Sequence, residues 1–209
     1  MTFLHLIQSV HKKQKRKRNK RMATIKYTIT FHTDWHCGSG LAAGADLDAL
    51  VVKDDEQMPF VPGKTIKGLI REATFDFLKL TGNYDEESFV KAFGNAPEEG
   101  EEPDKLKKGD IFFTNATIDD SIYKQIVDTD SQRFLFRKKT STSIDDEGTA
   151  KEHSLRSMQT TVAMELGGEI LEIPEGNMKD AISNAMGFIK SLGQGRNRGL
   201  GRCTFSVIN

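Results

Sequence analysis

The sequence predicts an α+β chain on the ferredoxin-like plan, strand–helix–strand–strand–helix–strand, with a long insertion between the second and third strands. Three observations carry this. Segments 66–80 and 178–192 place apolar residues at helical spacing. Segments 24–31, 110–118, 160–173 and 200–208 are rich in β-branched and aromatic residues in strand patterns. Residues 131–164 are polar and nearly free of apolar periodicity, which marks an excursion from the core. The length of 209 residues suits one generous domain with insertions.

Taken in order, 24–31 (TIKYTITF) alternates polar and apolar residues and reads as a strand. A glycine-bearing loop over 33–44 and a short apolar segment over 47–53 follow. Pro62 and Gly63 open a helix with Ile66, Leu69, Ile70, Ala73, Phe77, Leu78 and Leu80 on one face, and Gly82 with Asn83 ends it. A short helix is expected over 84–93, then a charged Pro/Gly loop over 96–108, expected to be mobile. The strand DIFFTNATI covers 110–118. After the excursion and the third strand, Met178, Ile182, Ala185, Met186 and Ile189 define a second helix. A glycine–arginine loop over 193–201 then leads into the closing strand.

Composition narrows the class. A hydrophobic share of 37% beside 29% charged residues indicates a small core and much solvated or partner-facing surface. No run approaches the roughly 20 apolar residues of a membrane helix, and residues 1–10 are too short for a secretory signal. A cytoplasmic location with no membrane partner is the expectation. Cys37 and Cys203 cannot build a disulfide framework or a zinc site unaided, so free thiols are expected. The zero net charge hides an asymmetry. Residues 1–21 hold eight of the 30 Lys/Arg and no acid, which leaves 22 basic against 30 acidic residues, net −8, in 22–209. The basic segment is expected to be either a disordered phosphate-binding tail or a mis-called start upstream of Met22, with 22–209 as the single domain.

Two basic glycine segments carry the chemistry. Residues 193–202 (GQGRNRGLGR) interleave four glycines with three arginines. Glycine permits positive φ and close backbone approach, successive N–H groups cradle anions, and arginine adds bidentate phosphate contacts. A dinucleotide site is excluded, because the spacing differs from G-x-G-x-x-G and the loop follows a helix instead of a strand. Residues 60–71 (FVPGKTIKGLIR) suggest a phosphate-binding helix start, with Gly63, Lys64, Thr65, Lys67 and Arg71 as candidates and Lys64, Lys67 and Arg71 on one face. An ATP or GTP phosphate loop is rejected, since its first glycine would fall on Met58. Trp35 serves either base stacking or core packing. His36 reads either as an RNA contact or acid or as a structural histidine capping the loop. A His32–His36 metal pair is not expected, and His153 has no visible partner.

Four segments in order resemble motifs of the RAMP superfamily of CRISPR-associated proteins. They are His36-Cys37-Gly38-Ser39-Gly40 after the first strand, the helix start 60–71, the run 140–156 (TSTSIDDEGTAKEHSLR) and the loop 193–201. Lys64 stands where the family has a small hydroxyl residue, Glu147 precedes Gly148, and the arginine after the aspartate is lacking. The resemblance implies an RRM-like palm with a thumb-like β-hairpin at about 131–164, carrying Thr142, Thr149, Lys151 and Arg156. It implies RNA binding through His36, Ser39, Gly63, Lys64, Thr65, Lys67, Arg71, Gly193, Gln194, Gly195, Arg196, Asn197, Arg198 and Gly199. The implied partners are guide RNA (crRNA), target RNA, copies of the chain head-to-tail and other CRISPR effector subunits. Backbone subunits of type III complexes also cut target RNA with an aspartate after the first strand, which maps to Asp48, with Asp46 as the alternative. Ala49-Leu50 replaces the usual serine–proline. Such cleavage would use Mg²⁺ or another divalent cation, held by Asp48 through water. The competing expectations are a non-cleaving guide-RNA scaffold and a stand-alone guide-processing endonuclease, for which Tyr84, His32 and His36 are the candidate groups.

Overall fold

The computed structural model describes residues 22–42, 47–95, 107–174 and 176–208. The basic tail, Asp46 and most of the charged loop at 96–108 lie outside the described residues.

Strand β1 (Met22–Phe31) buries Ile25, Tyr27, Ile29 and Phe31, as its period-2 pattern requires. Helix α1 (Gly63–Leu80) answers with Ile66, Ile70 and Leu78. Helix α2 (Glu86–Phe93) follows, capped by Asp85, which accepts the Ser88 N–H at 2.9 Å. Strand β2 is the pair Phe112–Phe113, and strand β5 (Glu165–Pro174) lies between it and β1. Helix α4 (Asn177–Met186) and strand β6 (Cys203–Ile208) close the chain. The sheet order is β2-β5-β1-β6, and every pairing is antiparallel. The first and third palm strands are therefore central, which is the ferredoxin-like arrangement. Both long helices share one apolar cluster with the sheet, through Ile66 and Ile70 of α1 and Ala181, Ile182 and Met186 of α4. The opposite sheet face carries polar pairs, including Lys26–Glu169 at 2.9 Å.

The insertion adds helix α3 (Asp120–Asp128), a 3₁₀ turn at Gln132–Leu135, and strands β3 (Phe136–Ser141) and β4 (Arg156–Thr161), which form a separate two-stranded sheet. Four expectations need correction. The ladder expected over 110–118 is broken, because Asn115 turns aside to bond α1 while Ala116 pairs with Val61. The strand expected over 160–173 is split, with Thr160 and Thr161 ending β4 and β5 beginning at Glu165. The helix expected over 178–192 stops at Met186, and Ser191 already pairs with Arg202. Helix α3 lies in 119–130, where no element is expected. Asp119 caps it through Ser121, and Tyr123, Ile126 and Val127 pack against the core cluster. No helix among the described residues is long and apolar enough to cross a membrane.

Candidate functional site

The glycine loop is built on its own closure and on the segment Asp34–His36 that follows β1. The Leu192 N–H donates to Gly201 O at 2.9 Å, and Cys203 N–H to Lys190 O at 3.0 Å. Gln194 N–H then donates to His36 O at 2.9 Å, and Gly201 N–H to Asp34 O at 2.8 Å. Two glycines make this docking possible. Gly193 has φ +95°, and a Cβ there would sit 2.4 Å from His36 O. Gly201 has φ +68°, and its Cβ would sit 1.9 Å from Leu192 O. The expectation of an open cradle of N–H groups is thus corrected in part, since those of Gln194, Arg198, Leu200 and Gly201 are taken by carbonyls. What the loop presents is a single 3₁₀ turn, Arg196–Arg198, with Arg196, Asn197 and Arg198 exposed. Among the described residues the Arg196 and Arg198 side chains have no hydrogen bond or ion pair, so their guanidinium donors are free for a ligand.

His36 has 0% exposure. Its Nδ1 lies 2.6 Å from Gln159 O, and a carbonyl only accepts, so Nδ1 carries the proton and donates. Nε2 is buried without a partner. The geometry is that of the structural alternative: the ring ties β4 to the loop and does not reach a surface ligand. Beside it lies a cleft of about 340 Å³ whose walls include Thr65, Leu69, Gln194 and Arg196. Ser39 is likewise turned inward, its hydroxyl donating to Leu50 O at 3.1 Å and accepting the Leu41 N–H at 3.2 Å. Trp35 is fully buried, stacked on Phe31 at 4.6 Å, with its indole N–H on Val162 O at 3.1 Å.

The helix start behaves differently from its sequence expectation. Gly63 N–H donates to Asn115 Oδ1 at 2.9 Å, and Thr65 N–H to Pro62 O at 2.9 Å. These donors are not free for phosphate. Gly63 is required by packing, since a Cβ would lie 2.2 Å from Phe113 O. The structure brings Thr65 to the glycine loop, but Lys64, Lys67 and Arg71 lie roughly 130° round the helix from the Thr65–Leu69–Glu72 face that lines the cleft. Burial, Lys108 and Arg71 together lower the Lys67 pKa from its ordinary value. The Arg71 guanidinium stands 5.4 Å over the Phe89 ring. These residues form a second basic patch, on the α2 side.

Asp48 is exposed at the junction of palm and hairpin. Its Oδ2 accepts the Ser157 N–H at 2.6 Å and its own N–H donates to Ser157 O at 2.8 Å. One lobe of the carboxylate is thus fixed by β4. No group of three or more His, Cys, Asp or Glu that could hold a metal occurs among the described residues. His32 Nε2 is 2.8 Å from Thr204 Oγ1, away from any pairing with His36. Tyr84 packs among Phe75, Phe89 and Lys79.

At the hairpin tip, Asp145 organises the turn, accepting the N–H groups of Glu147 and Thr149 at 3.1 and 2.8 Å and the Thr149 hydroxyl at 3.2 Å. The Thr142 hydroxyl meets Ser154 at 2.7 Å, and the Lys151 N–H bonds Ser143 O at 2.9 Å. The Lys151 and Arg156 side chains are exposed. Two residues that the sequence did not single out matter here. Gln159 is the hub on β4, and Asp34 pairs with Arg137 at 3.2 Å. The Lys/Arg run at 137–139 was the available signal for the hairpin's basic stem.

Fold and site together define a palm-and-hairpin protein whose docked glycine loop carries two free arginines. The chain belongs to the RAMP superfamily, whose profile matches residues 28–204. It is similar to a chain in the cryo-EM structure of the type III-B Cmr-beta bound to cognate target RNA, with a TM-score of 0.64, 12% identity, and coverage of 90% of this chain and 98% of that one. It is also similar to a chain of the type III-B Cmr-beta in the apo state, with a TM-score of 0.62, 11% identity, and coverage of 89% and 97%. At such identities the likeness shows the shared fold. No curated protein matches the chain.

Proposed function

We propose that the chain is a guide-RNA-binding backbone subunit of a type III CRISPR ribonucleoprotein. The observation that carries this is the Arg196–Arg198 turn, placed by glycine-dependent docking onto the Asp34 and His36 carbonyls, with both arginine side chains free of partners among the described residues. Guanidinium groups carried on a docked backbone turn hold phosphates at a lower ordering cost than on a flexible loop. The likeness to a chain of a complex bound to target RNA supports the setting. The basic loop on a net-acidic body (22 basic, 30 acidic over 22–209) suits head-to-tail association of copies along the guide, beside other effector subunits. The purified protein is expected to carry nuclease-protected RNA, and replacing Arg196 and Arg198 with Ala to remove it. Unchanged RNA content in that variant would refute the assignment.

Cleavage of the paired target RNA through Asp48 is the finer reading. Asp48 is oriented by the Ser157 N–H and exposed, so its other oxygen can accept the proton of a ribose 2′-OH as that oxygen attacks the adjacent phosphorus in line. The products would be a 2′,3′-cyclic phosphate and a free 5′-OH. A single carboxylate fits Mg²⁺ held through water and does not make a protein-liganded centre. Bound there, the ion would neutralise phosphate charge. The non-cleaving scaffold is favoured by one observation, Ala49-Leu50 standing where the resembled cleaving segment has serine–proline. Target cleavage by the guide-loaded complex with and without Asp48→Ala separates the two. The packed Tyr84 and buried His36 give no support to a stand-alone processing enzyme.

A further inference from the structure

The cleft of about 340 Å³ beside the glycine loop holds a group that a plain phosphate site does not call for. Helix α1 sends Thr65, Leu69 and Glu72, at i, i+4 and i+7, onto one wall, and Gln194 and Arg196 stand on the other. Among the described residues the charged groups of these walls are Glu72 and Arg196, and both residues are exposed. Neither side chain has a hydrogen bond or ion pair among the described residues. His36 also borders the cleft, but its Nε2 is enclosed and takes no part. Glu72 and Arg196 line the adjoining groove of about 470 Å³ as well, where α1 adds Asp76, four residues on. The second cation of that groove, Lys190, already donates to Gly187 O at 2.7 Å. Across from Arg196, α1 thus carries two carboxylates without partners among the described residues.

A carboxylate near a phosphate-binding arginine repels the phosphate, unless the same ligand gives that carboxylate a hydrogen-bond donor. Such a group penalises the wrong ligand and holds the right one, which is how specificity arises. Inorganic phosphate or an acidic peptide would satisfy Arg196 and be repelled by Glu72. A lysine or arginine side chain would satisfy Glu72 and be repelled by Arg196. An RNA strand satisfies both, with a phosphate on Arg196 and the hydroxyl of the attached ribose donating to Glu72. A DNA strand brings the same phosphate and no donor on its sugar. A peptide carrying both charges would also match the pair, but the second free guanidinium on the turn, that of Arg198, favours a ligand with repeated negative charge. We infer that Glu72 selects RNA over DNA in this cleft, by accepting the 2′-OH of a nucleotide whose phosphate Arg196 holds. The inference rests on the RNA-binding reading above and adds sugar selection to it.

The test titrates the full chain, at one salt concentration, with oligouridylate, its 2′-O-methyl counterpart and oligodeoxyuridylate. The three strands share base and phosphate and differ at the 2′ position, where the methyl ether keeps the oxygen but cannot donate. The wild type is expected to bind oligouridylate roughly tenfold more tightly than either of the others, the worth of about one hydrogen bond to a charged group. Glu72→Ala should bring that ratio toward one and strengthen oligodeoxyuridylate binding about twofold to fivefold, because the repulsion is gone. Glu72→Gln drops the charge but keeps an acceptor, so it should strengthen DNA binding as well and retain part of the ratio. Alanine and glutamine are both good helix formers at this exposed position of α1, so the variants keep the fold. A wild-type ratio of one, a ratio untouched by Glu72→Ala, or weaker DNA binding in that variant overturns the inference while strand binding itself stands. Failure of every strand to bind overturns the RNA-binding reading and the inference with it.

Discussion

If the glycine loop works because it is docked, then Gly193 should be the costliest of its exposed-side glycines to replace. Gly193→Ala forces a Cβ to 2.4 Å from His36 O at φ +95°. The left-handed backbone costs an L-residue about 1–2 kcal/mol. Relief of the contact must move the loop away from His36, which also forfeits the Gln194 N–H bond to His36 O, worth about 0.5–1.5 kcal/mol. The sum is about 1.5–3.5 kcal/mol. Gly199→Ala is the internal control, because φ is +81° but nothing lies within 4 Å of its Cβ. It should cost only the backbone part, about 1–2 kcal/mol. Urea unfolding at unchanged m-value reads both. Gly193→Ala should also weaken RNA binding by more than Gly199→Ala, since it displaces the arginines as a unit. Equal costs for the two variants would refute docking as the reason for the loop's glycine content.

The remaining expectations concern charge and chemistry. Replacing Arg196 and Arg198 together should reduce the slope of log affinity against log salt by about 1.4 for single-stranded RNA, measured by titration at several ionic strengths. Asp48→Asn keeps most of the shape but lacks the carboxylate, so target cleavage should be lost while guide binding stays; retained cleavage would move the chemistry to another group. Burial raises the Cys37 thiol to about 12, with Cys203 adding to the effect, and burial raises Cys203 to about 11, against an ordinary value of 9.0. The folded state therefore favours the neutral thiols. Their contribution is complete below pH 9 and is lost as pH rises through 9 toward 12, because the unfolded chain releases these protons first. Denaturation midpoints should fall over that window, and Cys37→Ala should flatten the fall.

The parts of the fold legible in sequence are those whose periodicity reports a single burial face. The runs from Ile66 to Leu78 and from Ile25 to Phe31 each face one core and gave their elements directly. The strand over 110–118 misled because Asn115 and Ala116 have the composition of a ladder but serve Gly63 and Val61. Helix α3 has no fully buried residue, so its stripe is faint, although Asp119 before Ser121 is a readable cap. The site divided in the same way. Glycine and arginine content located the loop, but no local pattern shows that Gln194 would meet His36, nor that the basic face of α1 would turn toward α2.

The segment Asp34–Trp35–His36 explains why hairpin and loop belong to one device. It is extended, so its backbone groups alternate in direction. Trp35 pairs by N–H and C=O with Thr161 at the end of β4, at 2.9 and 2.8 Å. The carbonyls of Asp34 and His36 point the other way and accept the Gly201 and Gln194 N–H groups of the glycine loop. The side chains reinforce the hairpin side, Asp34 through Arg137 at 3.2 Å and His36 through Gln159 O at 2.6 Å. Three residues thus clamp β4 on one edge and the arginine turn on the other. A displacement of the hairpin cannot be absorbed between them without breaking backbone bonds on one edge or the other. Two elements that are about 40 residues apart in the chain therefore share one reference, so the arginine turn is positioned relative to the hairpin base and to Asp48, which β4 holds through Ser157.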